Sequence, residues 1–109
     1  MAAEKRQITV MFCDLVGSTK LSQELDPEDY SDLLRTYQEA VSEVINQFDG
    51  YIAQHLGDGV LVYFGYPISH EENAHRAVLS GLRILDSIKS IKFDLDSANN
   101  INISVRVCQ

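Results

Sequence analysis

The stretch YIAQHLGDGVLVYF, residues 51–64, decides the fold of this 109-residue chain. Its two ends, residues 51–54 and 60–64, are rich in aromatic and β-branched residues, which favour strands. The Asp58-Gly59 pair lies in the link between them and is a strong hairpin signal. We therefore predict two antiparallel strands that are joined by a tight connection.

One further strand is predicted on each side of this hairpin. Residues 6–14, RQITVMFCD, alternate in polarity and become apolar on both faces toward their end, which is typical of a central strand. Residues 101–107, INISVRV, alternate cleanly and predict a half-buried strand.

The first long helix has a clear start signal. Asp26 is a suitable N-cap and Pro27 suits the first helical position. Apolar residues then recur at helical spacing from Tyr30 to Phe48 and predict one buried stripe, most simply part of the core. Residues 18–25, which precede this helix, predict a short separate helix.

A second long helix is predicted from about Glu71, after the GYP turn at residues 65–67. Its apolar side is expected to contain Ala74, Ala77, Val78, Leu82, Leu85 and Ile88. The order of elements is then βααββαβ, an α+β arrangement of the ferredoxin-like type. We expect a single domain over residues 1–109, with an antiparallel sheet and both long helices on one face.

Composition and charge exclude several classes of protein. The net charge of −7 argues against a nucleic-acid binder, whose footprint is basic. No apolar run approaches the ~20 residues that cross a bilayer, and the polar N-terminus lacks a signal peptide, so we expect a cytoplasmic protein. Cys13 and Cys108 are expected to lie at opposite edges of the sheet, too far apart for a disulfide, as two free thiols.

Two aspartates are predicted to meet at one edge of this sheet. Asp14 lies at the exit of the first strand, and Asp58 lies in the loop that enters the 60–64 strand. Antiparallel neighbours place the exit of one strand beside the entry of the other. Carboxylates within ~4–6 Å repel each other unless a cation lies between them. Mg²⁺ commonly binds through one or two carboxylates together with phosphates and water.

The segment after Asp14 is suited to an anion. Residues 16–19, Val-Gly-Ser-Thr, are a candidate helix N-terminus, whose free N–H groups can hold phosphate oxygens. Gly17, Gly57 and Gly59 would let the backbone approach a ligand closely.

Simpler interpretations of the same residues stay open. Asp14 taken alone fits a cap or turn residue, and Asp58 alone fits a hairpin residue. Ser18 and Thr19 can be helix-start residues whose hydroxyls cap the helix. Gln54 can be a polar strand residue with no further role.

Three motifs in this order resemble the class III adenylate/guanylate cyclase catalytic domain, particularly its bacterial forms. They are FCDLVGST (12–19), GYIAQHLGDGVLVYFGYP (50–67) and HEENAHRAV (70–78). The resemblance extends from about Arg6 to Val107. Each motif alone would be a weak signal, whereas the three together are specific.

The resemblance implies a site and a reaction. Asp14 and Asp58 correspond to the two metal-binding aspartates of the family, with two divalent cations, Mg²⁺ or Mn²⁺, and the backbone carbonyl of Leu15 as a further ligand. Backbone N–H groups of Val16, Gly17, Ser18 and Thr19 would hold the β- and γ-phosphates of ATP or GTP. The 3′-oxygen would attack the α-phosphate, giving a cyclic 3′,5′-nucleotide and pyrophosphate. A homodimer, or a second cyclase domain, is implied because the family forms its site between two domains.

The chain departs from the family pattern in two ways. Gln54 stands where the family has a purine-selecting lysine, and glutamine both donates and accepts hydrogen bonds. No residue here matches the asparagine and arginine that stabilise the transition state in the family. We therefore expect a truncated domain that is nearly inactive alone. The alternatives are a non-catalytic relative that binds nucleotide or a regulatory partner, and a core that self-associates through an exposed apolar face.

Overall fold

The computed structural model describes residues 7–68, 71–90 and 102–108, so Arg6, His70 and Ile101 of the predicted segments lie outside the described residues. The strands are β1 (Thr9–Val16), β2 (Tyr51–Leu56), β3 (Gly59–Phe64) and β4 (Asn102–Cys108). The helices are α1 (Ser18–Glu24), α2 (Pro27–Gln47) and α3 (Asn73–Ser90). The predicted α+β order βααββαβ is confirmed.

The strands form one antiparallel sheet in the order β2-β3-β1-β4. β3 pairs with β1 from Thr9–Phe64 to Cys13–Val60, and β4 pairs with the other edge of β1. The exit of β1 therefore lies beside the entry of β3. This is the arrangement from which the meeting of the two aspartates was predicted.

Side chains alternate across the sheet, and one face is covered by the two long helices. α2 packs against β2 and α3, while α3 packs against the other three strands. The buried positions on this face are Met11, Cys13 and Leu15 of β1 and Val60, Val62 and Phe64 of β3, which pack with Leu33, Tyr37, Val41, Val44 and Ile45 of α2. Both long helices thus lie on one face, as predicted.

The start of α2 follows the sequence signal only in part. Asp26 is the N-cap residue and Pro27 opens the helix, but the Asp26 side chain makes no capping hydrogen bond. Glu28 and Asp29 add negative charge to the first turn, where the helix dipole is positive. Electrostatics rather than a capping bond therefore favours this start.

The buried face of α3 differs from the prediction. The helix begins at Asn73 rather than Glu71, and Val78 and Leu82 are 48% and 59% exposed. The buried positions are Ala77 and Ile88, as predicted, together with Ser80, Gly81 and Ile84, while Ala74 and Leu85 are half-buried. A Cβ atom at Gly81 would lie 3.0 Å from Val105 Cγ1, so small residues let α3 approach β4. The helix buries its small residues because they allow close packing against the sheet, whereas the prediction considered hydrophobicity alone.

Self-association through an exposed apolar face stays a prediction.

Both cysteines are free, as predicted. Cys108 pairs with Val10 across the sheet, three positions along β1 from Cys13. Cys13 is buried under the helices and Cys108 is exposed. Among the described residues, none of the helices combines the length and the apolar character that a membrane span requires.

Candidate active site at the β1 and β2–β3 edge

The β2–β3 connection is a two-residue turn. Leu56 pairs with Gly59, which leaves Gly57 and Asp58 as the central residues. Gly57 has φ +61°, a conformation that glycine adopts readily. The turn therefore lies one residue earlier than the Asp58-Gly59 signal suggested. Asp58 occupies the turn itself, and Gly59 is the first residue of β3.

The Asp58 carboxylate is fixed against β1. Its Oδ2 atom accepts a hydrogen bond of 3.2 Å from the backbone N–H of Leu15. Leu15 directly follows Asp14, and both aspartates are half-buried. The structure thus brings Asp14, Leu15 and Asp58 together at one sheet edge, from positions 43 residues apart in the chain.

Gly59 serves packing at this edge. A Cβ atom there would lie 2.7 Å from the Phe12 ring and 3.2 Å from the Leu56 carbonyl oxygen. The close approach predicted for Gly59 is therefore to the Phe12 side chain. Gly17 and Gly57, by contrast, have positive φ and open space where a Cβ would stand.

The segment after β1 begins α1 without a side-chain cap. Gly17 is the N-cap residue, with φ +75°, and no side-chain hydrogen bond caps the start of this helix in the described part of the chain. The alternative in which the Ser18 and Thr19 hydroxyls cap the helix is therefore wrong. Val16 and Gly17 are exposed, so this backbone is open to solvent.

Gln54 lies on the same face of the sheet as Asp14, but on a strand that is not adjacent to β1. It pairs with Leu61, which also pairs with Phe12, after an irregularity in β2 between Ile52 and Gln54. Cross-strand partners share a face, and Asp14 is two residues beyond Phe12, so Gln54 and Asp14 face the same side of the sheet. Two strand spacings, about 10 Å in all, separate β2 from β1. Gln54 is exposed, and two strand spacings separate its position from that of Asp14.

Two residues of α2 were missed as neighbours of this edge. The Gln38 Nε2 group donates a 3.4 Å hydrogen bond to the carbonyl oxygen of Gly57 in the turn. Burial, and then electrostatic interaction with Cys13, Asp58 and Asp14, raises the pKa of the Tyr37 hydroxyl. The helical periodicity marks Tyr37 as buried but carries no information about which strand ends lie over it.

Cys13 is buried in the hydrophobic core, on the helix-covered face of β1. Burial, with a smaller contribution from the charge of Asp14, raises the pKa of its thiol from 9.0 to about 12. The thiol is therefore protonated near neutral pH and acts as a small core side chain.

The donor set of this edge fits a hard divalent cation. It offers two carboxylates, and within residues 7–68, 71–90 and 102–108 no group of three or more His, Cys, Asp or Glu side chains is placed to hold a metal. A site built from two carboxylates needs further oxygen ligands from phosphate or water, which is the usual coordination of Mg²⁺ in phosphoryl-transfer sites. The thiol nearest the pair is protonated, so oxygen ligands predominate.

Comparison with known proteins supports the same family. The sequence matches the profile of the adenylate and guanylate cyclase catalytic domain over residues 1–108. It is 33% identical over 92 residues to adenylate cyclase 1 of Rhizobium meliloti, covering 82% of this chain and 14% of that protein.

Solved structures of cyclase domains share the fold. The guanylate cyclase domain of RhGC from Catenaria anguillulae, in complex with GTP, superposes with a TM-score of 0.86 at 26% identity, over 97% of this chain and 57% of that one. The adenylyl cyclase CyaB from P. aeruginosa gives a TM-score of 0.80 at 28% identity, over 95% and 57%. The chain thus spans a little more than half the length of these structures. By its sequence and its fold, this chain belongs to the adenylate and guanylate cyclase catalytic domain family.

Proposed function

We propose that this chain carries the metal-binding half of a nucleotide cyclase site, which converts ATP or GTP into a cyclic 3′,5′-nucleotide and pyrophosphate. The observation that supports it most directly is the hydrogen bond from the Leu15 N–H to Asp58, which holds the Asp58 carboxylate beside Asp14. Two like charges are held at one edge with no basic side chain bonded to either among the described residues. This arrangement favours a bound cation between them.

Asp14 and Asp58 would hold two divalent cations, Mg²⁺ or Mn²⁺, with the Leu15 carbonyl as a further ligand. When bound, these cations would lower the pKa of the 3′-hydroxyl and neutralise charge on the phosphates. The protein contributes by fixing both carboxylates before the nucleotide arrives. The 3.2 Å bond from Leu15 leaves the other Asp58 carboxylate oxygen available as a ligand.

Backbone N–H groups from Val16 to Thr19 would receive the β- and γ-phosphates. Their support is the uncapped start of α1 and the left-handed Gly17, which exposes this backbone beside Asp14. Backbone donors and cations together would compensate for a chain of net charge −7 that binds an anionic nucleotide.

Gln54 would contact the purine edge from β2. A glutamine side chain can both donate and accept hydrogen bonds, so it suits adenine and guanine alike. We expect weak discrimination between ATP and GTP at this position.

A second domain, from a homodimer or another cyclase chain, would cover the sheet face that carries Asp14 and Gln54. Both long helices pack on the opposite face, so this face is open to a partner within the described residues. Since the chain spans 57% of the C. anguillulae guanylate cyclase domain, we expect the 109 residues alone to form product slowly at best.

Calorimetric titration with ATP or GTP, with and without Mn²⁺, tests the proposal. Asp14→Asn and Asp58→Asn remove one charge each, and the asparagine oxygen of the second still accepts from Leu15. We expect Mn²⁺-dependent binding in the wild type, its loss in both variants, and no change in the control Asp86→Asn, an exposed position on α3. Binding that is equal in all four proteins, or that needs no metal, would contradict the proposal.

A second candidate function is nucleotide binding without turnover, which Gln54 in place of the lysine of the family favours. An assay of product formation, made on the longest chain that the reading frame encodes, distinguishes the two. Cyclic nucleotide formed with Mn²⁺ and lost in Asp14→Asn supports the enzyme, whereas metal-dependent binding without product supports the binding module.

A further inference from the structure

An apolar groove lies between α3 and β4. Every residue that lines it is apolar: Val78, Gly81, Leu82, Leu85, Val105 and Val107. Val78 and Leu82 are 48% and 59% exposed, which is unfavourable for side chains of this kind in water. The groove has a volume of about 170 Å³, below the about 300–1,000 Å³ of small-molecule pockets. Apolar side chains from a protein surface therefore suit it better than a small ligand.

The outer edge of β4 borders this groove. β4 pairs with β1 on one side and, within the residues that the structure describes, with no strand on the other. Its register with β1 is regular from Asn102 to Cys108, whereas the opposite edge strand, β2, has an irregularity between Ile52 and Gln54. Bulged edges resist pairing with another chain, and long regular edges favour it. Of the two edges, that of β4 is therefore the one suited to pairing.

The sequence of β4 is self-complementary in an antiparallel pair. Pairing of two copies about Val105 would use all seven residues of the strand. On the helix-covered face it would place Ile103 opposite Val107 of the second copy, and on the other face Ser104 opposite Arg106. A pair centred on Arg106 would place two like charges opposite each other, which is destabilising. A pair centred on Ser104 would leave the last two residues of β4 unpaired.

The position of α3 suits the same arrangement. α3 packs against β1 and β4 to the same extent, so its axis lies between these strands. With neighbouring strands about 4.8 Å apart, the α3 helices of two copies would lie about 10 Å apart across the new strand pair. Packed helices lie about 8–10 Å apart. The exposed Val78 and Leu82 of each copy would therefore contact the second copy and fill the groove.

We propose that two copies of this chain associate through the β4 edge and the α3–β4 groove, with an antiparallel β4 pair centred on Val105. The self-association expected from the sequence would use this surface. It is distinct from the open sheet face that carries Asp14, so the inference does not depend on the proposed function. One short strand and one helix face make a small contact, and we expect a weak dimer with a dissociation constant above about 1 µM.

Sedimentation velocity between about 1 µM and 1 mM protein, without metal or nucleotide, tests the association. We expect the wild type to pass from monomer to dimer. Leu82→Glu should raise the dissociation constant at least about 10-fold, because it places a charge in the groove of both copies. The matched control, Leu79→Glu, changes an exposed leucine of the same helix outside the groove and should leave the value unchanged.

Two results of this experiment overturn the proposal. A wild type that stays monomeric over the whole range would leave the groove to another partner. A dimer that Leu82→Glu does not weaken would be formed through another surface.

Disulfide trapping tests the register without a charged substitution. In a Cys108→Ser background, Val105→Cys would place two thiols directly opposite each other, with Cα atoms about 4.5–5.5 Å apart, which permits a disulfide. In the matched control, Val107→Cys, the two thiols would lie about 13 Å apart along the strands. We expect mild oxidation to link the first variant into dimers and not the second, as measured by mass spectrometry of unreduced protein. Equal linking of both variants, or no linking of the first, contradicts the proposal.

Discussion

Two regions of the molecule are held in place in different ways: the edge formed by β1 and the β2–β3 turn, and the contact of α3 with β4. At the β1 and β2–β3 edge, a hydrogen bond from Leu15 and one from Gln38 fix a charged turn in place. Beside β4, α3 instead approaches closely at Gly81, and the small residues Ala77 and Ser80 are buried on the same helix. The larger apolar residues Val78 and Leu82 are left outside. Hydrogen bonds fix the geometry of the first region, and close packing fixes that of the second.

The contrast teaches where a sequence is informative. A tight turn and an antiparallel register place Asp58 beside Asp14 whatever the surrounding side chains are. The orientation of α3, in contrast, depends on which of its faces can approach β4 most closely. Hydrophobicity alone does not decide that.

The largest expected change in the free energy of unfolding lies in α3, and it tests which face of that helix is buried. Ile84 is fully buried and Leu82 is 59% exposed, although the two residues lie only two positions apart. We expect Ile84→Ala to lower the free energy of unfolding by about 2–5 kcal/mol. Leu82→Ala should change it by less than about 0.5 kcal/mol. Urea denaturation of both variants measures the difference, and equal losses would mean that the orientation of α3 is wrong.

A smaller effect is expected at the turn. The Cβ atom of Gly59→Ala would lie 2.7 Å from the Phe12 ring, so we expect a loss of about 1–3 kcal/mol from overpacking. Phe12→Leu in the same chain should recover part of that loss, because the new methyl group then has room. The comparison of single and double variants in urea measures this coupling. Independent, additive effects would show that Gly59 does not pack under Phe12.

Much of the fold could be predicted from the sequence. The start signal at Asp26-Pro27 and the alternation in the strands depend on neighbouring residues. The first placed the start of α2 correctly, and the second placed each strand with bounds that differ by up to three residues. The meeting of Asp14 and Asp58 followed from topology, since adjacent antiparallel strands share an edge. These features need only local chemistry and one correct pairing.

The remainder depends on contacts that are remote in sequence. The turn lies at Gly57-Asp58 rather than Asp58-Gly59, because the pairing of Leu56 with Gly59 sets its register. From the helical spacing alone, Tyr37 is predicted to be an ordinary core residue. Its relation to the aspartates arises only when α2 is laid under the β2–β3 turn. Helical periodicity predicts which side is buried and not what lies above it.

The claim that two aspartates share a cation is tested most directly by paramagnetic broadening of amide signals with Mn²⁺. We expect the signals of residues 14–19 and 57–59 to broaden first in the wild type, while those of residues 77–85 of α3 stay sharp. In Asp14→Asn the broadening at the turn should be lost. Uniform broadening along the chain, or the same localised pattern in Asp14→Asn, would contradict the account.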